Sequence, residues 1–207
     1  MSAHTGPEPA PHRQAQRDRG MRVLRFAEAE VPAELARQVA AIEAAAWPGS
    51  APGHDPALHP RTMLLVDGAG TVAASLSLLY KPVPLAGRTY RAAGLSSVAT
   101  GPELRGRGHG GRLVAAAHAE LAADPAVDLA LFSCDRPLAP FYGAAGFAVL
   151  PGTVLVGGTP EDPLPTDAPG FDKVVPAAFF TDDPEGDRAA FTGVRVPLHP
   201  GNTDRLW

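Results

Sequence analysis

Apolar residues recur along the first part of the chain at spacings typical of a strand, a helix and a hairpin. A short apolar run predicts a strand over Arg22–Phe26, and apolar residues at helical spacing predict a helix over Pro32–Trp47. Two further apolar runs, Thr62–Val66 and Thr71–Tyr80, flank the turn-forming sequence Asp67–Gly70. Such a turn between two apolar runs predicts a β-hairpin.

The middle of the chain predicts a strand, a helix and a second strand in succession. These cover Tyr90–Thr100, Gly111–Ala123 and Leu129–Ser133, and the prolines and glycine of Lys81–Arg88 predict a turn before the first of them. Two strands joined through a helix pair in parallel. The pattern therefore predicts an α/β fold (α+β mixed sheet), in which helices flank a central mixed β-sheet. The elements predicted next are a helix and a strand: Pro137–Ala145 and Phe147–Leu150.

The two ends of the chain differ from this pattern. Residues 1–20 contain almost nothing that could pack, which predicts a disordered tail before a single domain over residues 21–207. From about residue 151 the sequence is rich in proline, glycine and acidic residues. Only residues 171–180 and 191–196 predict packed segments there, so we expect an acidic excursion made mainly of solvated loops around two strands.

Composition narrows the class of protein. The chain has 207 residues, of which 45% are hydrophobic and 19% charged, and its formal net charge is -4. These values are ordinary for a globular protein and give no general affinity for nucleic acid. The single cysteine, Cys134, excludes an internal disulfide framework. No apolar run reaches membrane-spanning length, so we expect a cytoplasmic protein without membrane or nucleic-acid partners.

A loop dense in glycine and arginine connects the predicted strand and helix of the middle region. Backbone N–H groups at a helix N-terminus have no partner within the helix and, together with the helix dipole, attract phosphate-like anions. Glycine lets the backbone approach an anion closely, and Arg105, Arg107 and Arg112 add positive charge. Gly106–Gly111 superficially matches a dinucleotide fingerprint, but Pro102–Arg105 separate it from the strand, which a dinucleotide-binding turn follows directly.

Two motifs in this region resemble those of the GNAT superfamily of N-acetyltransferases. The sequence Arg105–Gly110 fits the signature Arg/Gln-x-x-Gly-x-Gly/Ala, and Tyr142–Phe147 fits a Tyr-x-x-x-Gly-Phe segment. The resemblance implies the GNAT fold, with a pyrophosphate-binding loop between the fourth strand and its following helix. It implies acetyl-CoA as co-substrate and no metal. The residues implied to bind the cofactor are Val98, Ala99, Thr100, Arg105, Gly106, Arg107, Gly108, His109 and Gly110.

The same resemblance assigns the catalytic role to Tyr142, at the position of a tyrosine that protonates the departing thiolate. A phenol with an unperturbed pKa of about 10 is protonated at neutral pH; the alternative is a tyrosine that only packs under the sheet. Many relatives carry a glutamate base on the strand before the loop, whereas this chain has Ser96 and Ser97 there. Asp55, His54, the terminal carboxylate or solvent remain as bases. Cys134 is interpreted as a small core residue.

A narrower resemblance, to the aminoglycoside 2'-N-acetyltransferases, suggests the substrate. It rests on the order of a long loop over residues 50–60, a serine after the fifth strand, the tyrosine, an acidic excursion and a terminal tryptophan. It implies a primary amine of an aminoglycoside or related aminosugar, at the 2'-position. A polycationic substrate calls for carboxylates and hydroxyls. The residues expected to bind it are Asp55, Ser96, Ser133, Asp182 and Trp207.

Three other functions compete with this hypothesis. The chain could acetylate another small amine or a protein N-terminus, although the long loop and the C-terminal excursion favour a covered pocket over an open groove. A second rival is a binding module of the same fold that holds acetyl-CoA without turnover. A third, a nucleic-acid binder, conflicts with the negative net charge. A homodimer is an expectation that comes from the resemblance alone.

Overall fold

A seven-stranded sheet lies at the centre of the computed structural model, which describes residues 20–51 and 53–199. The strands of the described residues are β1 (Arg22–Ala27), β2 (Arg61–Val66), β3 (Val72–Leu85), β4 (Arg88–Thr100), β5 (Leu129–Leu131), β6 (Cys134–Asp135), β7 (Ala148–Val149), β8 (Val154–Gly158), β9 (Pro163–Pro165), β10 (Lys173–Val174), β11 (Pro176–Phe179) and β12 (Arg195–Pro197). The central sheet has the order β1-β2-β3-β4-β5-β11-β7. Its neighbours are antiparallel except for the parallel pair β4 and β5.

Helices cover both faces of this sheet. They are α1 (Ala33–Ala46), α2 (His109–Ala123), α3 (Ala139–Gly143) and α4 (Pro184–Phe191). On β2, Met63 and Leu65 belong to the core cluster that includes the apolar face of α2, whereas Leu64 and Val66 pack with α1. Because successive side chains of a strand point to opposite faces, α1 and α2 lie on opposite sides of the sheet. The predicted mixed α/β fold with helices flanking a mixed sheet is confirmed.

The predicted turn over Lys81–Arg88 is wrong, because β3 continues through both prolines to Leu85. Its pairing with β2 ends at Leu78, so the following residues form an edge on that side. Proline, which has no N–H to donate, is tolerated at such an edge. The actual turn consists only of Ala86 and Gly87, both with positive φ (50° and 79°). Together β3 and β4 therefore form a long two-stranded ribbon that extends beyond the rest of the sheet.

The C-terminal part contains more regular structure than the sequence predicted. β8 pairs in parallel with β12 and antiparallel with β9, which makes a second sheet of three strands, and β10 pairs with β6. The strands β8 and β9 and the helix α4 were missed, because strands of three to five residues containing glycine or proline carry little periodic signal. Within residues 20–51 and 53–199, each helix is too short or too polar to cross a membrane.

A buried carboxylate attaches α4 to the beginning of β4. Asp187, only 7% exposed, accepts hydrogen bonds from the Tyr90 hydroxyl at 2.7 Å and from Arg88 at 3.2 Å. Thr181 donates a third through its hydroxyl. The neighbouring Asp183 caps α4 by accepting from the N–H of Gly186. This network fixes the C-terminal helix at the end of the sheet where β4 starts.

We expect Asp187→Ala to lower the free energy of unfolding by about 2–3 kcal/mol, because it leaves the buried Tyr90 hydroxyl without an acceptor. Asp182→Ala is the matched control: it removes an exposed acid nearby and should change stability by less than about 0.5 kcal/mol. Urea unfolding followed by circular dichroism measures both. Equal effects of the two substitutions would contradict a structural role for the Asp187 network.

Candidate active site

The parallel strands β4 and β5 are paired over only two residues. Ala92 pairs with Leu129 and Ala93 with Ala130, after which β5 ends at Leu131 while β4 continues to Thr100. Among residues 20–51 and 53–199, no strand pairs with this edge of β4 beyond Ala93, and we call the space beside that edge the opening. Backbone N–H and C=O groups along such an edge are available to an extended ligand, as in the addition of a strand to a sheet.

A β-bulge lies on the other side of β4, in its pairing with β3. Ser96 pairs with Ser77 of β3, whereas Ala99 pairs with Ser75, so two residues of β4 lie opposite one residue of β3. Ser97, one of the two, has a φ of 50°. A bulge bends the strand that carries it and increases the local twist. The bulge lies in the part of β4 that has no partner in β5.

The predicted anion-binding loop lies directly after this part of β4. Gly106 and Gly108 have positive φ values of 73° and 78°, which glycine adopts at little cost. Gly108 is the N-cap of α2, and its helix has no side-chain cap. The helix begins at His109, two residues before the predicted start at Gly111. The first-turn N–H groups therefore have neither an intrahelical acceptor nor a side-chain cap, as an anion site requires.

Close packing holds the start of α2 against the end of β4. A Cβ added to Gly110 would lie 2.9 Å from Thr100 Oγ1 and 3.4 Å from Phe141 Cζ, so no larger residue fits without movement. Arg105 donates from Nε to the Thr100 carbonyl at 3.3 Å, and both Arg105 and Arg107 are exposed. The structure thus brings the predicted cofactor residues of β4, Val98–Thr100, together with those of the loop.

Tyr142 lies on α3, next to the segment that follows β5. Its ring makes edge-to-face contacts with Phe132 and Phe141, each at a centroid distance of 4.9 Å, and the residue is only 7% exposed. Burial, assisted by the nearby Cys134 and Asp135, raises the pKa of Tyr142 well above its ordinary value. The phenol is therefore a neutral hydrogen-bond and proton donor at physiological pH.

Cys134 follows the end of β5 and belongs to the same neighbourhood. Burial raises the pKa of its thiol to about 11. Since the thiolate is the nucleophilic form, Cys134 is poorly suited to carry an acetyl group. This agrees with its interpretation as a small buried residue in the core. Ser133, which precedes it, is half-buried and lies two residues after the end of β5.

A hydrogen-bonded group of three side chains lies beside the bulge. His54 Nδ1 is 2.6 Å from Glu28 Oε2, and His54 Nε2 is 2.9 Å from Ser96 Oγ. The backbone N–H of His54 also donates to Glu28 Oε1 at 2.9 Å. The hydrogen bond from His54 lowers the pKa of Glu28, so this side chain is a carboxylate at neutral pH. The residue after β1, the loop before β2 and strand β4 thus meet at this group.

Sequence reasoning named His54 and Ser96 but missed Glu28. The glutamate is 26 residues before the histidine, and no local pattern connects them. The connection comes from sheet pairing: β1 is antiparallel to β2, and the N–H of Glu28 donates to the carbonyl of Pro60, just before β2 begins. The end of β1 thereby meets the long loop that carries His54. Only knowledge of which strands pair could have revealed the contact between Glu28 and His54.

The structure brings some of the predicted substrate residues together and separates others. Asp55 is adjacent to His54, half-exposed, and its Oδ1 caps the short helix Pro56–Leu58 by accepting from Ala57 N–H. Asp182 lies elsewhere. It follows β11, which runs antiparallel to β5, so it is beyond the start of β5 and not beyond its end.

Asp182 lies far from Ser96 because the two residues are near different ends of β4. Asp182 is close to the network of Asp187 and Tyr90, and Tyr90 is six residues from Ser96 along β4, or about 20 Å at the rise of a strand. We therefore exclude Asp182 from the site formed around Ser96. Trp207 and almost all of the predicted N-terminal tail lie outside the described residues.

A parallel pair of strands with a short overlap, a helix N-terminus without a side-chain cap and a buried tyrosine thus lie close together in the described part of the chain. The chain belongs to the GNAT superfamily: the model of the family described as "Acetyltransferase (GNAT) domain" matches residues 30–150. It is therefore an acyltransferase of that superfamily. The search among curated proteins gives no match.

Solved structures agree with this fold. A GNAT family N-acetyltransferase of Escherichia coli, YhbS, solved in complex with CoA, is similar with a TM-score of 0.56 and 18% identity over 95% of this chain and 94% of that chain. Escherichia coli ElaA gives a TM-score of 0.53 at 14% identity, covering 76% and 98%. A probable N-acyltransferase from Enterococcus faecalis gives 0.50 at 20% identity over 65% of this chain, which spans only 33% of that protein.

Proposed function

We propose that this chain transfers the acetyl group of acetyl-CoA to a primary amine of an aminoglycoside or related aminosugar, at the 2'-position, with Tyr142 as the general acid. The observation that carries the proposal is the position of the open edge of β4 directly beside the uncapped start of α2. One extended thioester with an anionic head can use both features at once.

The cofactor would lie along these two features. Its pyrophosphate would accept hydrogen bonds from the N–H groups of residues 106–110, where two glycines already hold the required backbone conformation. Arg105 and Arg107 are exposed beside this loop and would add charge-assisted contacts. The amide groups of the pantetheine arm would pair with the backbone of Val98–Thr100 in the way that a strand pairs with a sheet edge. The thioester would then lie near the bulge.

Tyr142 would supply the proton for the departing thiolate. Its raised pKa keeps the hydroxyl protonated over the whole physiological range, so the acid is always in the required form. The thiolate forms as the C–S bond breaks, and a positioned donor lowers the barrier for that step. The contact of Tyr142 with Phe132, the residue after β5, supports a position near the end of that strand.

The charge around Ser96 favours a cationic acceptor. Glu28 is hydrogen-bonded to His54, and Glu43 interacts with it electrostatically. Asp55 follows His54 in the chain. Carboxylates in a cleft raise the local concentration of cations, and an aminoglycoside carries several ammonium groups. Hydroxyls of Ser96 and Ser133 add partners for the hydroxyls of a sugar. This arrangement supports a polyamine sugar more than a neutral peptide substrate.

The proposal is tested by thiol release from acetyl-CoA against a panel of amines. We expect turnover with aminoglycosides that carry a 2'-amine and none with counterparts that carry a 2'-hydroxyl. The panel also contains spermidine and a peptide with a free N-terminus as alternative amine substrates. Turnover restricted to either of them would contradict the aminosugar substrate and keep the acetyltransferase. Acetyl-CoA binding without turnover on every arm would contradict acetyl transfer to these amines.

We expect Tyr142→Phe to lower kcat by about 100-fold, because the thiolate must then take its proton from water. The Kd for acetyl-CoA, measured by titration calorimetry, should change by less than about twofold, since the removed hydroxyl acts only in the transition state. Tyr80→Phe, at a half-buried tyrosine on β3, is the matched control and should leave kcat unchanged. A full kcat in Tyr142→Phe would remove this residue from the acid role.

A further inference from the structure

We propose that Ser96, His54 and Glu28 form a proton relay that takes a proton from the substrate amine and so replaces the glutamate base that this chain lacks. The inference rests on the proposed acetyl transfer and assigns the base of that reaction. Ser96 is the group that would touch the amine, His54 is the proton acceptor behind it, and Glu28 is a positioning residue.

The hydrogen bonds fix the tautomer of the imidazole. A carboxylate can only accept, so the 2.6 Å contact between Glu28 and His54 places the hydrogen on Nδ1. Neutral His54 then has a lone pair on Nε2, which accepts from the Ser96 hydroxyl at 2.9 Å. A basic nitrogen is thus directed at the hydroxyl of β4, with its other side held by an anion that stabilises the imidazolium.

Burial explains why the proton must pass through the serine. The side chain of His54 is only 6% exposed, whereas Ser96 is half-buried at the bulge next to the opening of β4. An amine that enters from the opening meets the hydroxyl before the imidazole. Ser97 Oγ is 3.5 Å from the same nitrogen, which makes it a weaker partner.

Titratable groups from several elements of the described chain face His54. The carboxylate of Glu28 contacts it directly, and Ser77 donates to that carboxylate from β3. Glu43 faces it from α1, where burial raises the pKa of the glutamate and the charge of His54 opposes that shift. Asp55 follows it in the loop. An imidazole surrounded by acids can hold the proton that the amine releases.

The proposed reaction releases one proton in each turnover. The substrate arrives as an ammonium ion and gives one proton to Ser96 Oγ, while the hydroxyl proton of Ser96 moves to His54 Nε2. The free amine then attacks the thioester carbonyl, a C–N bond forms, and the C–S bond breaks as the thiolate takes the proton of Tyr142. The new amide nitrogen and His54 each release one proton to solvent, and Tyr142 regains one. The net products are the amide, CoA thiol and one proton.

The test is the pH profile of kcat for wild type and His54→Gln, with the amine that the panel identifies. Removing the imidazole should lower kcat at pH 7 by about 100-fold. The deficit should shrink as pH rises, because more amine then arrives already deprotonated. The wild-type activity should fall below the pKa of the imidazole, whereas the activity of the variant should already decline below the higher pKa of the substrate amine. His59→Asn, an exposed histidine of the same loop with positive φ, is the control and should retain the wild-type profile.

Two further variants separate a relay from a purely structural contact. Glu28→Gln removes the anion beside the imidazole and should move the acidic limb to lower pH, which a packing role would not do. Ser96→Ala should lower kcat at least tenfold, while Ser97→Ala should stay within about twofold of wild type. The Kd for acetyl-CoA should be unchanged in all of them.

The outcomes distinguish failure of the relay from failure of the proposed function. Turnover by wild type that His54→Gln and Ser96→Ala retain with an unchanged pH profile overturns the relay alone. An acetyl group on a Ser96 peptide, found by mass spectrometry after incubation with acetyl-CoA, also overturns it, because the serine would then be a nucleophile. No wild-type turnover with any amine overturns the proposed function and the relay with it.

Discussion

The short pairing of β4 with β5 is the constraint on which the rest of the site depends. Within residues 20–51 and 53–199, no strand pairs with this edge of β4 beyond Ala93, and backbone groups on such an edge need another partner. The bulge at Ser97 lies in this part of the strand, while the pairing with β3 continues. Ser96 precedes the bulge, and Thr100, after it, lies against the start of α2. One stretch of β4 thus carries both the residue next to the glycine loop and the serine of the candidate proton relay.

The two ends of β4 have different roles. At its start, Tyr90 and Arg88 are bound by the buried Asp187, which anchors the C-terminal helix to the sheet. Towards its end, Ser96 contacts His54, and Thr100 lies against the start of α2. A network of satisfied hydrogen bonds stabilises the fold at the first end. Of the acidic residues of the C-terminal part, Asp187 and the capping residue Asp183 belong to that end, whereas Asp172 pairs with Arg136 beyond the end of β5.

Sequence alone predicted the elements that carry the chemistry, because strong signals define them. Apolar periodicity located β4 and α2, and the glycines located the loop between them. The turn over Lys81–Arg88 was mispredicted because an edge strand accepts prolines that a central strand would not. Glu28 was missed, and the separation of Asp182 from Ser96 was not foreseen, because both positions depend on which strands pair and in which direction. Long-range pairing of short strands leaves no trace in local periodicity.

In the proposed complex, one extended thioester lies along the unpaired edge of β4 and ends at the start of α2. Amide hydrogen exchange with and without CoA detects this mode of binding, since backbone groups gain protection where they acquire partners. We expect new protection in peptides that cover Leu95–Thr100 and Gly106–Gly111, and unchanged exchange in α4 and in the turn at Ala86–Gly87. Protection confined to the C-terminal sheet, or none in these two segments, would rule out this mode of binding.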